Sequence, residues 1–245
     1  MKKVFSYGLS SIFYLFFGST LLVFHAYQWI AFNAFGYQAH KKSVDILNFS
    51  LLRCLNIVGT RFQFTNSFTF ETDRPHIIVC NHQSMFDIPP LIWYMRKLHP
   101  KFISKKELAK GVPSISYNLR HGGSVLIDRK SARQALGEIK KLGKYISETK
   151  RSAVIFPEGT RSKTGQIKRF SSKGLIALLE ACPEAVVIPV CVNNSWKLQY
   201  QGMFPLGVGV FLKLEVLKPH EVKDFKIPEL VELLEKQISS QVQNN

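Results

Sequence analysis

After residue 60 the apolar positions of this chain alternate between a strand period and a helix period. Short apolar or alternating runs predict strands at RFQFTNSFTF (61–70), HIIVC (76–80), KFIS (101–104), GSVLID (123–128), SAVIF (152–156), AVVIPVCV (185–192) and VGVFLKLEVL (208–217). Helical spacing occupies Pro89 to Leu98, Ser131 to Ser147, Ser172 to Ala181 and Pro228 to Val242. Strands alternating with helices predict an α/β layered fold. Residues 41–60 read as an amphipathic helix with Ile46, Phe49, Leu52 and Ile57 on one side. There is no internal repeat and no low-complexity linker. The boundary is expected near residues 55–65, dividing a helical segment (1–60) from an α/β domain (61–245).

From Val4 to His40 there is no Lys, Arg, Asp or Glu. The run exceeds the ~20 residues of one membrane span. Lys2 and Lys3 precede it, and Lys41, Lys42, Arg53 and Arg61 follow it, so charge sets no orientation. A cleaved signal peptide would have a shorter, less aromatic core. A soluble core helix this long would need a large partner surface. A single span and a hairpin dipping into one leaflet both fit. Gly18 and Ser19 offer a bend, and Tyr27 and Trp29 suit an interface. Either way, membrane association is expected.

Composition narrows the partners. The 33 Lys and Arg against 17 Asp and Glu give a net charge of +16, which favours nucleic acid, acidic lipid or a phosphorylated small molecule. The 245 residues suffice for one α/β domain and an appendage. Cys54, Cys80, Cys182 and Cys191 form no C-x-x-C pair, so buried free thiols are expected, with no disulfide and no zinc.

The apolar run HIIVC stops on NHQSMFD. Strand C-terminal ends are where α/β sites are built. On a straight helix His82 and Asp87, five apart, would point about 140° away from each other. They meet only if the segment turns first and a helix begins near Asp87, as Pro89 and Pro90 suggest. The alternative reading makes Asp87 a plain helix cap and His82 a satisfied loop residue, and the two roles are compatible. If the pair is functional, His82 is a general base and Asp87 fixes its tautomer. Ser84 is a poor nucleophile: it lies two residues from His82, and there is no G-x-S-x-G elbow. Two further strand ends carry polar turns, with Asp128 and Arg129 in GGSVLIDRK and Glu158, Gly159 and Arg161 in FPEGTRSK. Arginine forks suit phosphate, although each turn alone could be a solvated ion pair.

NHQSMFD, GGSVLIDR, FPEGTRS and VVIPVCV, in that order, resemble the four blocks of the glycerolipid acyltransferases, most nearly the bacterial 1-acyl-sn-glycerol-3-phosphate acyltransferases. The likeness covers residues 60–217. It implies a mixed central sheet flanked by helices and an N-terminal membrane-embedded helical element. It implies acyl transfer from acyl-CoA or acyl-carrier protein to the free hydroxyl of lysophosphatidic acid, at the cytoplasmic face of a membrane, by inference the bacterial inner membrane. His82 would be the base and Asp87 its orienting partner. Lys105, Arg129, Glu158, Gly159, Thr160 and Arg161 would bind the acceptor, the arginines holding its phosphate. Ile188 and Pro189 would shape the acyl-donor side. No metal and no bound cofactor are implied, membrane phospholipids are expected partners, and nucleic acid is not. One departure is that Phe170 and Gly174 stand four apart where the family often has three. Other lyso-lipid acceptors such as a lyso-ornithine lipid, a lipid or thioester hydrolase, and a non-catalytic basic membrane binder are the competing readings.

Overall fold

The computed structural model describes residues 2–243, and the side chains of Lys2 and Lys3 lie outside what it describes. The apolar N-terminus is a helix, α1 (Lys2–Ile57), broken at Gly36, whose φ of 75° and ψ of −166° are non-helical. Glycine adopts positive φ without the Cβ clash that other residues suffer. The break turns α1 into a hairpin. Thr20 Oγ1 lies 3.6 Å from Cys54 Sγ, Leu21 packs with Leu47 and Leu51, and the Phe32 and His40 rings sit 5.5 Å apart. The bend lies at Gly36, not at Gly18 and Ser19, because residues 2–35 stay helical throughout.

The remainder comprises β1 (Arg61–Thr65), β2 (His76–Cys80), α2 (Ile88–Tyr94), β3 (Pro100–Lys105), α3 (Ile115–His121), β4 (Val125–Ile127), α4 (Ala132–Thr149), β5 (Ser152–Ile155), α5 (Ser172–Glu180), β6 (Val186–Asn193), β7 (Phe211–Val216), β8 (His220–Glu221) and α6 (Ile227–Ser239). The strands form one mixed sheet in the order β1-β7-β6-β2-β5-β3-β4, with β8 also pairing with β6. β2, β5, β3 and β4 run parallel to one another, and β7 is antiparallel to β6.

Successive strand residues feed opposite faces, as a period of two requires. Ile78, Val154, Ile188, Val190 and Val192 join Phe13, Leu55, Phe86 and Leu91 in one core, beneath α1 and α2. Ile77, Val79, Ala153, Ile155, Val187 and Cys191 join Leu142, Ile146, Leu175, Leu178, Leu230 and Leu234 in the other, beneath α4, α5 and α6. Both faces being covered explains the continuous apolar run of β2. All four cysteines are buried free thiols.

Some sequence readings are corrected. The strand expected over 61–70 stops at Thr65, because the Asn66 side chain bonds both the N–H and the C=O of Phe68 and turns the chain. The strand expected from 208 begins at Phe211. α3 was not foreseen. Ile46 and Phe49 face outward, while Val44, Leu47, Leu51 and Leu55 are buried. A helix apolar on several sides does not reveal which stripe is inward. Pro189 occupies a central strand without breaking it. Its carbonyl accepts from the Leu217 N–H, on the side where β6 changes partner from β8 to β7, so the missing donor interrupts neither ladder.

Candidate active site

The sheet order decides which strand ends are neighbours. β2, β5, β3 and β4 are consecutive and parallel, so the residues following them share one edge. His82 follows β2, Phe156 to Arg161 follow β5, Lys105 ends β3, and Arg129 follows β4. Parallel sheets gather chemistry at this carboxyl edge.

After β2 the chain makes a tight turn. Ser84 caps a short 3-10 turn over Met85–Asp87, its hydroxyl accepting from the Phe86 N–H at 3.2 Å. Asp87 reaches backward and makes no side-chain cap to α2. Its Oδ2 accepts from the Gln83 N–H at 2.8 Å and the Ser84 N–H at 2.9 Å, and lies 2.8 Å from His82 Nδ1. The capping and orienting roles therefore share one oxygen, while Oδ1 is buried without a partner. A carboxylate only accepts, so Nδ1 carries the proton and Nε2 keeps its lone pair. The Asp87 side chain is fully buried and that of His82 is 15% exposed. The imidazole thus has a fixed tautomer, a buried anion behind it and a basic nitrogen free of that anion. Such a group can accept a proton from a substrate.

Three contacts invisible to residue spacing hold this imidazole. The Phe156 ring stacks on it with centroids 4.1 Å apart and planes 20° apart. Glu158 Oε1 accepts from the His82 N–H at 2.7 Å. The Ser162 N–H donates to the His82 carbonyl at 2.7 Å. The other oxygen of Glu158 accepts from the Lys168 N–H at 2.9 Å, so both are committed to the backbone. Burial raises the Glu158 carboxyl above its ordinary range, and those N–H bonds oppose the rise. Glu158 therefore clamps the loop that carries His82. Asn81 acts likewise at the strand end. Its amide bonds the Val192 carbonyl at 2.8 Å and the Val192 N–H at 2.7 Å.

The basic residues follow the neighbouring strands on the same sheet edge. Partial burial lowers the Arg129 guanidinium from its ordinary value, and the charge of Arg161 lowers it further. An anion bound beside Arg129 and Arg161 would relieve this repulsion. Lys105 pairs in register with Ile127, two residues before Arg129, and is exposed. Its neighbour Lys106 is held by Asp128. Gly159 has a φ of 68°, which turns the chain between β5 and the arginine. The Thr160 hydroxyl receives Lys168 Nζ at 2.9 Å. Ile188 and Pro189 stand apart from this group. Both are buried within β6, where Ile188 joins the sheet core and presents no surface.

The Ser84 hydroxyl is also engaged. It donates to Gln199 Oε1 at 2.7 Å, and the Met85 N–H reaches the same oxygen at 3.2 Å. A buried, doubly bonded hydroxyl is a structural cap. Gln199 had no sequence signal, because the contact spans 115 positions. Among the described residues no His, Cys, Asp and Glu group is placed to hold a metal ion.

Comparison with known proteins gives a consistent result. The Acyltransferase family model matches residues 61–193. A 1-acyl-sn-glycerol-3-phosphate acyltransferase of Saccharomyces cerevisiae is 26% identical over 167 residues, 66% of this chain and 53% of that protein. One from Cocos nucifera is 29% identical over 182 residues, 74% of this chain and 55% of that protein. One from Helicobacter pylori is 38% identical over 101 residues, 40% of each chain. The chain thus spans about half the length of the curated relatives it matches, or less. The crystal structure of the 1-acyl-sn-glycerophosphate (LPA) acyltransferase PlsC from Thermotoga maritima superposes with a TM-score of 0.79 at 23% identity, covering 99% of this chain and 96% of that one. At that identity the likeness establishes the fold.

Proposed function

Because the chain belongs to the acyltransferase family, we propose that it moves an acyl group from acyl-CoA or acyl-carrier protein to the sn-2 hydroxyl of 1-acyl-glycerol-3-phosphate, making phosphatidic acid. The observation that carries this reading is the His82–Asp87 pair, with Nδ1 anchored at 2.8 Å, on the same sheet edge as Arg129 and Arg161. Relatives named for this reaction support the acceptor.

The transfer is direct. His82 Nε2 takes the proton of the acceptor hydroxyl as its oxygen attacks the thioester carbonyl. The tetrahedral intermediate collapses with cleavage of the C–S bond, and the imidazolium returns the proton to the departing thiolate. Asp87 stabilises the imidazolium between these events. Base catalysis of this kind supplies about 10²- to 10⁴-fold. Arg161 and Arg129 hold the acceptor phosphate, which places the hydroxyl for attack. Lys105, exposed at the end of β3, adds positive charge at the rim. Ile188 and Pro189 influence the donor side only through the packing of β6.

The lipid acceptor is met at the bilayer. The first arm of α1 (residues 2–35) buries Ser10, Phe13, Leu21, Gln28 and Ala31 against the protein and exposes Phe5, Leu15, Leu22, Val23, Trp29 and Ile30. One side faces the domain along its length and the other is apolar, which supports membrane association with the hairpin lying in one leaflet. The active edge then faces the cytoplasm, where both donors occur.

Purified protein in mixed micelles, given both donors and a panel of lyso-acceptors, tests the reading. Phosphatidic acid from lysophosphatidic acid is the expected product. Free fatty acid as the sole product would make the protein a hydrolase, and equal use of phosphate-free acceptors would remove the arginines' role.

A further inference from the structure

Between Lys197 and Lys213 the chain carries no charged residue. Most of this stretch is a loop joining β6 to β7, and a solvated loop of that length is ordinarily polar. It is not packed away. Tyr200, Met203, Phe204 and Val208 are 58%, 51%, 47% and 44% exposed, and Phe211 follows at 38%. Beyond α1, the large apolar side chains exposed among the described residues are these five and Leu108. Scattered exposed apolar residues are normal, whereas a cluster marks a contact surface.

The loop is docked rather than loose. Ser6 Oγ donates to the Leu206 carbonyl at 2.7 Å, and the Leu206 N–H donates to Ser10 Oγ at 2.9 Å. Tyr14 Oη bonds the Met203 carbonyl, and the Phe204 ring meets Tyr7 edge-on at 5.3 Å. Val4, Phe5, Tyr7 and Ile12 on that same arm are exposed. The apolar face of α1 therefore continues without a gap onto the loop. At its start, Gln199 grips Ser84 and Met85 of the catalytic turn. The flanking Lys197 and Lys213 suit the phosphates of anionic lipid.

We propose that residues 199–208 form a second lipid-contact element, which extends the bilayer-facing surface of α1 to the turn bearing His82. The occupant is a phospholipid bilayer containing anionic lipid. The inference rests on the membrane seating of α1 and not on the reaction. A free loop would let the site meet the bilayer at varying height. A loop bonded at one end to α1 and at the other to the His82 turn fixes that height.

The test is site-directed spin labelling of the full chain in phosphatidylcholine–phosphatidylglycerol vesicles. The native cysteines are buried, so labels on Phe204→Cys and Val208→Cys report alone, with unlabelled-site wild type run in parallel. Val23→Cys on α1 and Lys140→Cys on exposed α4 are the references. Labels at 204 and 208 are expected to match position 23, collided with by oxygen and shielded from a nickel chelate. Nickel access equal to that at position 140 would overturn the proposal, while membrane seating would stand if position 23 stayed shielded. Shielding of 204 and 208 in detergent together with label–label coupling would overturn it in favour of a second copy of the chain. Independently, Met203→Asp with Phe204→Asp should weaken vesicle binding about 10-fold or more, with near-UV circular dichroism unchanged. Unaltered binding by a folded double variant would count against the proposal.

Discussion

The smallest part of the design is one carboxylate oxygen. Asp87 Oδ2 takes two backbone N–H bonds and one imidazole N–H, so it shapes the turn and sets the His82 tautomer together. Asp87→Asn is expected to lower kcat by about 100-fold or more, because an amide can present a donor to Nδ1 and release the tautomer. It should also lower the melting temperature, since three bonds to a buried charged group are disturbed. A variant with wild-type kcat would show that the pair is only structural. Arg161→Ala should act differently, raising KM for lysophosphatidic acid by about 10-fold or more while the response to the acyl donor stays near normal. At this scale the sequence was informative where partners are close. His82 and Asp87 stand five apart, and turn chemistry constrains how they meet. It singled out Glu158 but gave no sign that its oxygens serve the backbone of His82 and Lys168. It was mute about Phe156 and Gln199, whose contacts depend on which strands become neighbours.

Elements carry the next set of constraints. α4 and α5 pack closely because Gly143 has no side chain, and a Cβ there would come 2.5 Å from Ala181 Cβ. Gly143→Val should therefore destabilise the fold by about 1–3 kcal/mol, read as a lower midpoint in chemical denaturation with little change in KM at temperatures where the variant stays folded. β2 begins on His76, which is buried with Nδ1 unpartnered. Burial lowers its pKa from 6.5 to about 4, aided by Arg74 and opposed by a backbone bond and by Glu221 and Asp73. The unfolded chain then binds this proton more readily than the folded one. Stability from the neutral ring is intact above pH 6.5 and is lost as pH falls towards 4, by ~3 kcal/mol at most. His76→Phe should flatten melting temperature against pH across that window, and an unchanged acid slope would contradict the assignment. The elements themselves were mostly legible, because β2, β5 and β6 are apolar runs bounded by polar turns. α3 was missed because Ile115–His121 is a single short stretch lying behind Gly111 and Pro113. Of the stripe expected on the second α1 arm, Leu52 is buried while Ile46 and Phe49 are exposed, because apolar residues surround the helix.

At the scale of the whole molecule, a stretch free of charge from Val4 to His40 forms most of a hairpin laid along an α/β sheet, and the sheet's carboxyl edge collects an imidazole and two arginines. The membrane reading was legible because Val4 to His40 carries no charged residue over a length that exceeds one membrane span. The turn at Gly36 was not, since a glycine inside an apolar run is compatible with a continuous span. Membership of the acyltransferase family and the His82 geometry converge on one claim, that a single imidazole activates the lipid hydroxyl. The direct measurement is single-turnover formation of phosphatidic acid from lysophosphatidic acid and a labelled acyl donor, comparing wild type with His82→Ala at matched acceptor occupancy. The account predicts a fall of about 10²- to 10⁴-fold in the transfer rate with acceptor affinity preserved. Transfer within a few-fold of wild type in a folded His82→Ala protein would contradict it.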